Sequence, residues 1–361
     1  MMSSMEYGGG LFNLNANEAF LSDGRTSFLK PDWQLFRSGR DALRAFAELA
    51  KGRADTILMP ALCCESMLLP FSQSGYRIIF YRLNENLTAD TADVLSKLTN
   101  RCVLLYMPYL GTTPFDTAFL AELRARNILL LEDRTQDIIV PRPADSFIPD
   151  ACVASLRKWA ALPGGGMLCS SLGHTENIVS TQYSDMCMDA MRLKEEYLSC
   201  ADPAPEQKVY FLKEFHDAEE LLDEASLPVA MSADCYERIS RIDFNKLWLS
   251  RRANVLRLRE DLKPLIDSGR IALMNDTPEN STLYLPILLD KRNEVQRELA
   301  ARNIYCPIIW HIPPEALGVC DISERSSMRM LALPCDQRYT PEDMSHIASE
   351  LIKIMENYNA D

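Results

Sequence analysis

Three stretches of this chain combine chemically able residue types with places where a strand or helix exposes them. The first is Phe36-Arg-Ser-Gly-Arg-Asp-Ala-Leu43, with Ser38 and Gly39 where a helix opens. Free N–H groups and the positive end of the helix dipole attract an anion there, and glycine lets a phosphate come close. The same pair also serves for plain capping. The second is Ile128-Leu-Leu-Leu-Glu-Asp-Arg-Thr-Gln136, an apolar strand ending in Glu132 and Asp133. Adjacent strand residues point to opposite faces, so one carboxylate is expected to aim into the crevice where parallel sheets bind ligands. The third is Ala154-Ser-Leu-Arg-Lys-Trp159, followed by Pro163-Gly-Gly-Gly166. Lys158 lies in an apolar setting, where desolvation favours the neutral amine that imine chemistry needs, and Arg157 would push the same way if it stays close.

The surrounding pattern supplies the elements that position these groups. Helical spacing runs from Asp41 to Ala50. Strands are expected at Thr56–Met59, Tyr76–Tyr81, Cys102–Met107 and Ile128–Glu132, with helices near Ser66–Ser74, Thr91–Leu98 and Phe115–Arg126. Apolar strands separated by helices indicate an α/β domain with a mostly parallel sheet covered on both faces. Residues 1–37 read as an arm or strap, 38–235 as the large domain, and 236–361 as a long helix plus a smaller α+β domain. That domain is expected to hold strands Thr282–Leu289 and Ile304–Trp310 and helices Asn293–Ala301 and Pro341–Tyr358, the last capped by Thr340 with Asp343 in its first turn. The acidic block 176–228 is helical in period and reads as a packing subdomain or a dimer face. Tyr236–Leu265 is expected to be one helix, with Arg251 and Arg252 on a solvated face or binding an acidic substrate.

The 361 residues are 47% hydrophobic and 25% charged, enough for a core and unlike a disordered chain. The net charge of −13 argues against nucleic acid or anionic membrane as partner. No apolar run reaches the roughly 20 residues of a membrane span, and the start of the chain lacks the pattern of a secretory signal. Eleven scattered cysteines without a CxxC pair fit reduced thiols in a cytoplasmic protein and offer no metal site.

The order cradle, strand-end Asp133 and then Lys158 resembles the fold-type-I pyridoxal-phosphate enzymes, and within them the DegT/DnrJ/EryC1/StrS aminotransferases. Ser38-Gly-Arg-Asp-Ala-Leu43 stands for that family's Ser-Gly-Thr-x-Ala-Leu, and Ile57-Leu-Met-Pro-Ala61 for its VxxPA strand end. Leu131-Glu-Asp-Arg-Thr-Gln136 resembles E-D-x-A-(Q/H), and Lys158 with Gly164–Gly166 resembles the cofactor lysine and G-E-G-G. Leu331-Ala-Leu-Pro334 and Thr340-Pro-Glu-Asp343 resemble the LP…T-x-E-D ending. Arg40 in place of Thr, Arg134-Thr135 in place of small residues, and a shortened segment before Lys158 depart from the pattern.

The resemblance implies an aspartate-aminotransferase-like fold, with pyridoxal 5'-phosphate held by Lys158 as a Schiff base and Asp133 on the pyridine nitrogen. It places Gln136 beside the ring oxygen, Ser38, Gly39, Arg40 and Ser155 at the phosphate, and Cys63 or Cys64 near the ring face. Trp310 and His311 are candidates for reaching the substrate from the small domain. The implied reaction moves an amino group from an amino-acid donor, by family habit glutamate, to a keto acceptor such as a nucleotide-linked keto-sugar. A homodimer with shared active sites is implied. Lyase, dehydratase or decarboxylase chemistry with the same cofactor, and a non-catalytic binding protein of the same fold, remain alternatives; the family's sugar dehydratases carry His where Lys158 stands.

Overall fold

The computed structural model describes residues 5–111, 116–142, 146–274 and 283–358. The chain begins with a short strand β1 (Tyr7–Gly8), then β2 (Trp33–Phe36), helix α1 (Gly39–Ala50), β3 (Thr56–Pro60), α2 (Leu69–Gln73), β4 (Arg77–Tyr81) and α3 (Thr91–Lys97). It continues through β5 (Cys102–Tyr106), α4 (Thr117–Ala125), β6 (Leu129–Asp133), β7 (Ala151–Ser155) and β8 (Gly166–Ser170). Strands β2 to β8 form one sheet in the order β2-β8-β7-β6-β5-β3-β4. From β4 to β7 neighbouring strands are parallel, and β8 runs against both of its neighbours. Strands β3, β5 and β6 are buried along their whole length. That is the consequence of sequences such as Leu129-Leu-Leu131, which offer no polar face to water.

Beyond the sheet come α5 (Gln182–Ser199) and α6 (Pro205–Glu224), an antiparallel helical pair, then α7 (Ala233–Ser240), α8 (Phe244–Asp261) and α9 (Lys263–Asp267). A second sheet joins β9 (Ala272–Leu273), β10 (Leu285–Leu288) and, after α10 (Arg292–Ala300), β11 (Ile304–Tyr305) and α11 (Asp321–Arg329), strand β12 (Met330–Leu333), in the antiparallel order β12-β10-β9. Helix α12 (Pro341–Asn357) closes the chain, with a capping box between Thr340 and Asp343. A separate core of Val255, Leu258, Ile287, Leu333, Ile347 and Leu351 binds α8 and α12 to this small sheet. No helix of the described residues is long and apolar enough to cross a membrane.

Several elements differ from the reading of the sequence. The stretch 236–265 is not one helix: Ile242 is fully buried and bridges to Leu21 of the arm, and the Asp243 carboxylate caps α8 by accepting the Lys246 N–H. Part of the arm, Trp33–Phe36, is an edge strand of the main sheet, paired with β8. The strand expected over 304–310 stops at Tyr305, two residues before Pro307, which has no N–H to continue a ladder. Helix α11 and strand β12 were not anticipated. The expected helix start at Phe115 and strand start at Thr282 lie outside the described residues.

Candidate active site

The lysine is carried on a short helical turn, Leu156–Lys158, directly after β7. Its successor Trp159 is fully buried and held at both ends. The indole N–H donates to the Thr135 carbonyl at 2.8 Å, while the Trp159 carbonyl accepts from Arg251 at 2.8 Å and Gln337 at 3.1 Å. The Arg251 guanidinium also lies over the indole, 5.1 Å from its centroid. Arg251 is therefore fully buried, not on a solvated face as its helix pattern suggested. The turn closes on the glycine run: the Leu156 N–H donates to the Gly165 carbonyl at 2.9 Å. A Cβ at Gly166 would sit 2.0 Å from the Ser38 carbonyl oxygen. Only glycine lets β8 pass that close to the start of α1.

Strand β6 separates its two carboxylates as alternation requires. Asp133 is 7% exposed and faces the cleft, where Thr135 N–H donates to it at 2.8 Å. Burial pushes its carboxyl above the usual range, opposed by the Thr135 hydrogen bonds and the nearby Lys158 charge. Glu132 faces away and pairs with Arg142 at 2.8 Å. Gln136 accepts the Leu110 N–H at 2.6 Å, and its amide nitrogen lies beside the Met107 sulfur on the cleft wall.

At the cradle, Ser38 caps α1 by accepting the Asp41 N–H at 3.2 Å and donates its hydroxyl to the Asp41 carboxylate at 2.7 Å. Arg37 makes a two-pronged pair with the same carboxylate. The first N–H groups of the helix have no acceptor within the helix itself. Gly39 packs on Ser155 so closely that a Cβ would stand 3.0 Å from the Ser155 Cβ. Arg40 turns to α6, pairing with Asp223 at 3.0 Å and lying 3.7 Å from Glu219. Glu219 also binds Arg157 through two hydrogen bonds, at 2.7 and 2.9 Å, and accepts the Tyr183 hydroxyl at 3.0 Å. Burial opposes ionisation of Glu219, but Arg157 and Arg40 overcome it and hold the carboxyl below its usual range. The Arg157 Nε is buried with no hydrogen-bond partner among the described residues.

These groups line a cavity of about 320 Å³ at the carboxyl ends of the parallel strands: Ser38, Gly39, Arg40, Cys64, Asp133, Gln136, Ser155, Lys158 and Trp310 are all on its wall. Lys158 is exposed there, so the desolvation expected around it is absent in this structure, and Glu219 neutralises the neighbouring Arg157. Cys63 does not reach the cavity. It is fully buried in the core, and burial pushes its thiol up. His311 points into solvent and is not on the wall, whereas Trp310, 2% exposed, packs edge-on against Tyr109. A second cavity of about 280 Å³ adjoins the first, with Arg157, Lys158, Glu219, Leu283 and Ile309 on both walls. Its far side is formed by Gly9, Gly10 and Phe12 of the arm and by the buried pair Arg338–Asp336. Sequence reasoning missed Thr135, Glu219, Tyr183 and this second lobe. The only local signal was the run Asp336-Gln-Arg-Tyr339, polar residues shortly after the apolar Leu331–Leu333.

No family model and no curated protein sequence matches the chain. Solved structures do. NtdA from Bacillus subtilis, solved with bound cofactor PMP, superposes with a TM-score of 0.64 at 15% identity, covering 90% of this chain and 73% of its own. The Helicobacter pylori aminotransferase PseC, involved in pseudoaminic acid biosynthesis, gives 0.62 at 13% identity, covering 98% and 100%. A DegT DnrJ EryC1 StrS aminotransferase from Brucella abortus gives 0.60 at 13%, covering 95% and 93%. The chain shares the fold of these aminotransferases.

Proposed function

We propose that this chain is a pyridoxal-phosphate-dependent aminotransferase. It would take an amino group from an amino-acid donor, glutamate the expected one, and give it to a keto acceptor of the nucleotide-linked keto-sugar class. The observation that carries the reading is one cavity wall holding an exposed amine, a buried carboxylate and a helix-start cradle. The donor set fits the cofactor: a carboxylate for a ring nitrogen, helix-start N–H groups for a phosphate, and a primary amine for an aldehyde. The sugar aminotransferases among the similar folds support the acceptor class.

When bound, pyridoxal phosphate supplies an electron sink for the electron pair left as a proton leaves the substrate carbon. The chain's own residues divide the remaining work. Lys158 would bond the aldehyde carbon and, once released, carry the proton between substrate and cofactor carbon. Asp133 would keep a proton on the ring nitrogen, its low-dielectric surroundings strengthening that pairing. Ser38, Gly39, Arg40 and Ser155 would orient the phosphate. Gln136 would steady the ring oxygen with the amide group not used on Leu110, and Cys64 and Trp310 would pack near the ring and substrate. We also propose a division near residue 235, and a homodimer. The exposed Val209, Tyr210 and Leu212 on α6 support the homodimer by offering apolar area to a second copy.

The test is spectroscopic. Added pyridoxal phosphate should give a visible band that borohydride bleaches, leaving the label on Lys158, and glutamate should convert the band to the pyridoxamine form. A protein that never acquires the band overturns the cofactor assignment. A stable band untouched by any amino acid overturns transamination and favours a lyase or a binding protein.

A further inference from the structure

Building on that reading, we propose that the N-terminal strap, through Gly10, sets the width of the lobe that takes the body of the substrate beyond its reacting carbon. The first cavity holds the cradle and Asp133, the groups that would hold the cofactor. The second cavity meets the first at Lys158 and is the space left beside that amine for the rest of a substrate. Its outer wall is the strap.

The strap is pinned on both sides of Gly10. Strand β1 pairs in parallel with β11, and the Gly8 N–H donates to the Tyr339 hydroxyl at 2.6 Å. Arg338 reaches the Gly9 carbonyl at 3.4 Å, and Lys194 donates to the Leu11 carbonyl at 2.6 Å. The Arg338 guanidinium lies 4.6 Å from the Phe12 ring centroid. Its own charge is met by Asp336 through two 2.8 Å hydrogen bonds. A strap held this firmly is a wall and not a loose flap.

Gly10 is the place on that wall where a side chain is missing without a backbone reason. It is not among the residues at positive φ, and a Cβ built there meets no atom within 4 Å. A Cβ there stands in open space, and Gly10 itself lines the lobe. Phe215, Tyr284 and Ile308 give the lobe apolar surface, and the Arg338–Asp336 pair is already neutralised. Such walls suit a bulky, ring-sized body with hydrogen-bonding groups.

The experiment compares wild type with Gly10→Ala, Gly10→Leu and Gly10→Trp, each loaded with pyridoxal phosphate, in single-turnover conversion by alanine, glutamate and phenylalanine. Cofactor affinity and the denaturation midpoint report folding, and Gly10→Leu serves if the Trp variant does not fold. Gly10→Ala should match wild type. The larger variants should slow glutamate and phenylalanine at least tenfold, leave alanine within twofold and keep cofactor affinity unchanged. Equal slowing of all three donors, or none, overturns the proposal. A wild-type protein that loads cofactor yet converts none of the donors overturns transamination, and this proposal with it; failure to load cofactor overturns the reading beneath both.

Discussion

Lys158 and Asp133 differ in what their loss should do. Lys158→Ala should abolish the borohydride-fixed label and lower the donor half-reaction by about 10²–10⁴-fold, the usual worth of a positioned acid–base group, as read by stopped-flow absorbance. Asp133→Asn should retain the label and slow the same step, because the lysine is untouched. Glu219→Ala removes the counter-ion of a largely buried Arg157, and should cost roughly 2 kcal/mol in urea unfolding. That is below the ~3–5 kcal/mol for a fully buried pair, since both partners keep some exposure. Removing both, Arg157→Ala with Glu219→Ala, should restore part of the loss. The residues legible in the sequence were those whose direction follows from a strand end or a helix start, such as Asp133 and Ser38. Neighbours outside a regular element were not: Cys63 and Cys64, or Trp310 and His311, differ by one residue, and nothing local says which one faces the cleft.

At the scale of elements, apolar runs such as Leu129–Leu131 announce central strands because both of their faces are buried. Break points were harder to read. Helices α7 and α8 are parted by a contact with Leu21, more than two hundred residues away in sequence, and periodicity cannot register such a partner. Asp243→Ala should cost α8 about 1 kcal/mol, the usual worth of an N-cap, measurable by chemical denaturation. The pair α5–α6 read as a helical block, yet its delivery of Glu219 and Tyr183 to the cradle depends on tertiary packing. Arg251 misled for the same reason: a basic residue on a charged helix reads as solvated until the partners that hold it, Trp159 and Gln337, are known. Arg251→Met should slow the donor half-reaction more than it weakens cofactor affinity, because it loosens the residue that follows Lys158.

For the whole molecule, pH should report on how the strap is fastened. Lys194 is 6% exposed, and burial lowers its amine from 10.5 to about 7. Between those values the unfolded chain holds a proton that the folded one has released. Folded stability supplied by this group therefore rises with pH across that window, by at most about 1.4 kcal/mol per unit, and is flat below pH 7. Wild type should gain stability relative to Lys194→Met from pH 7 to 10 in paired thermal unfolding curves, and a constant difference would refute the assignment.

The anchoring of Trp159 constrains how such a molecule can breathe. Its carbonyl is gripped by Arg251 from α8 and by Gln337 from the segment after β12, while its indole is fastened to the loop after β6. Any hinge that swung the carboxyl-terminal third away from the main sheet would drag the Lys158 amine along with it. Traffic into and out of the pocket should consequently leave that seam shut.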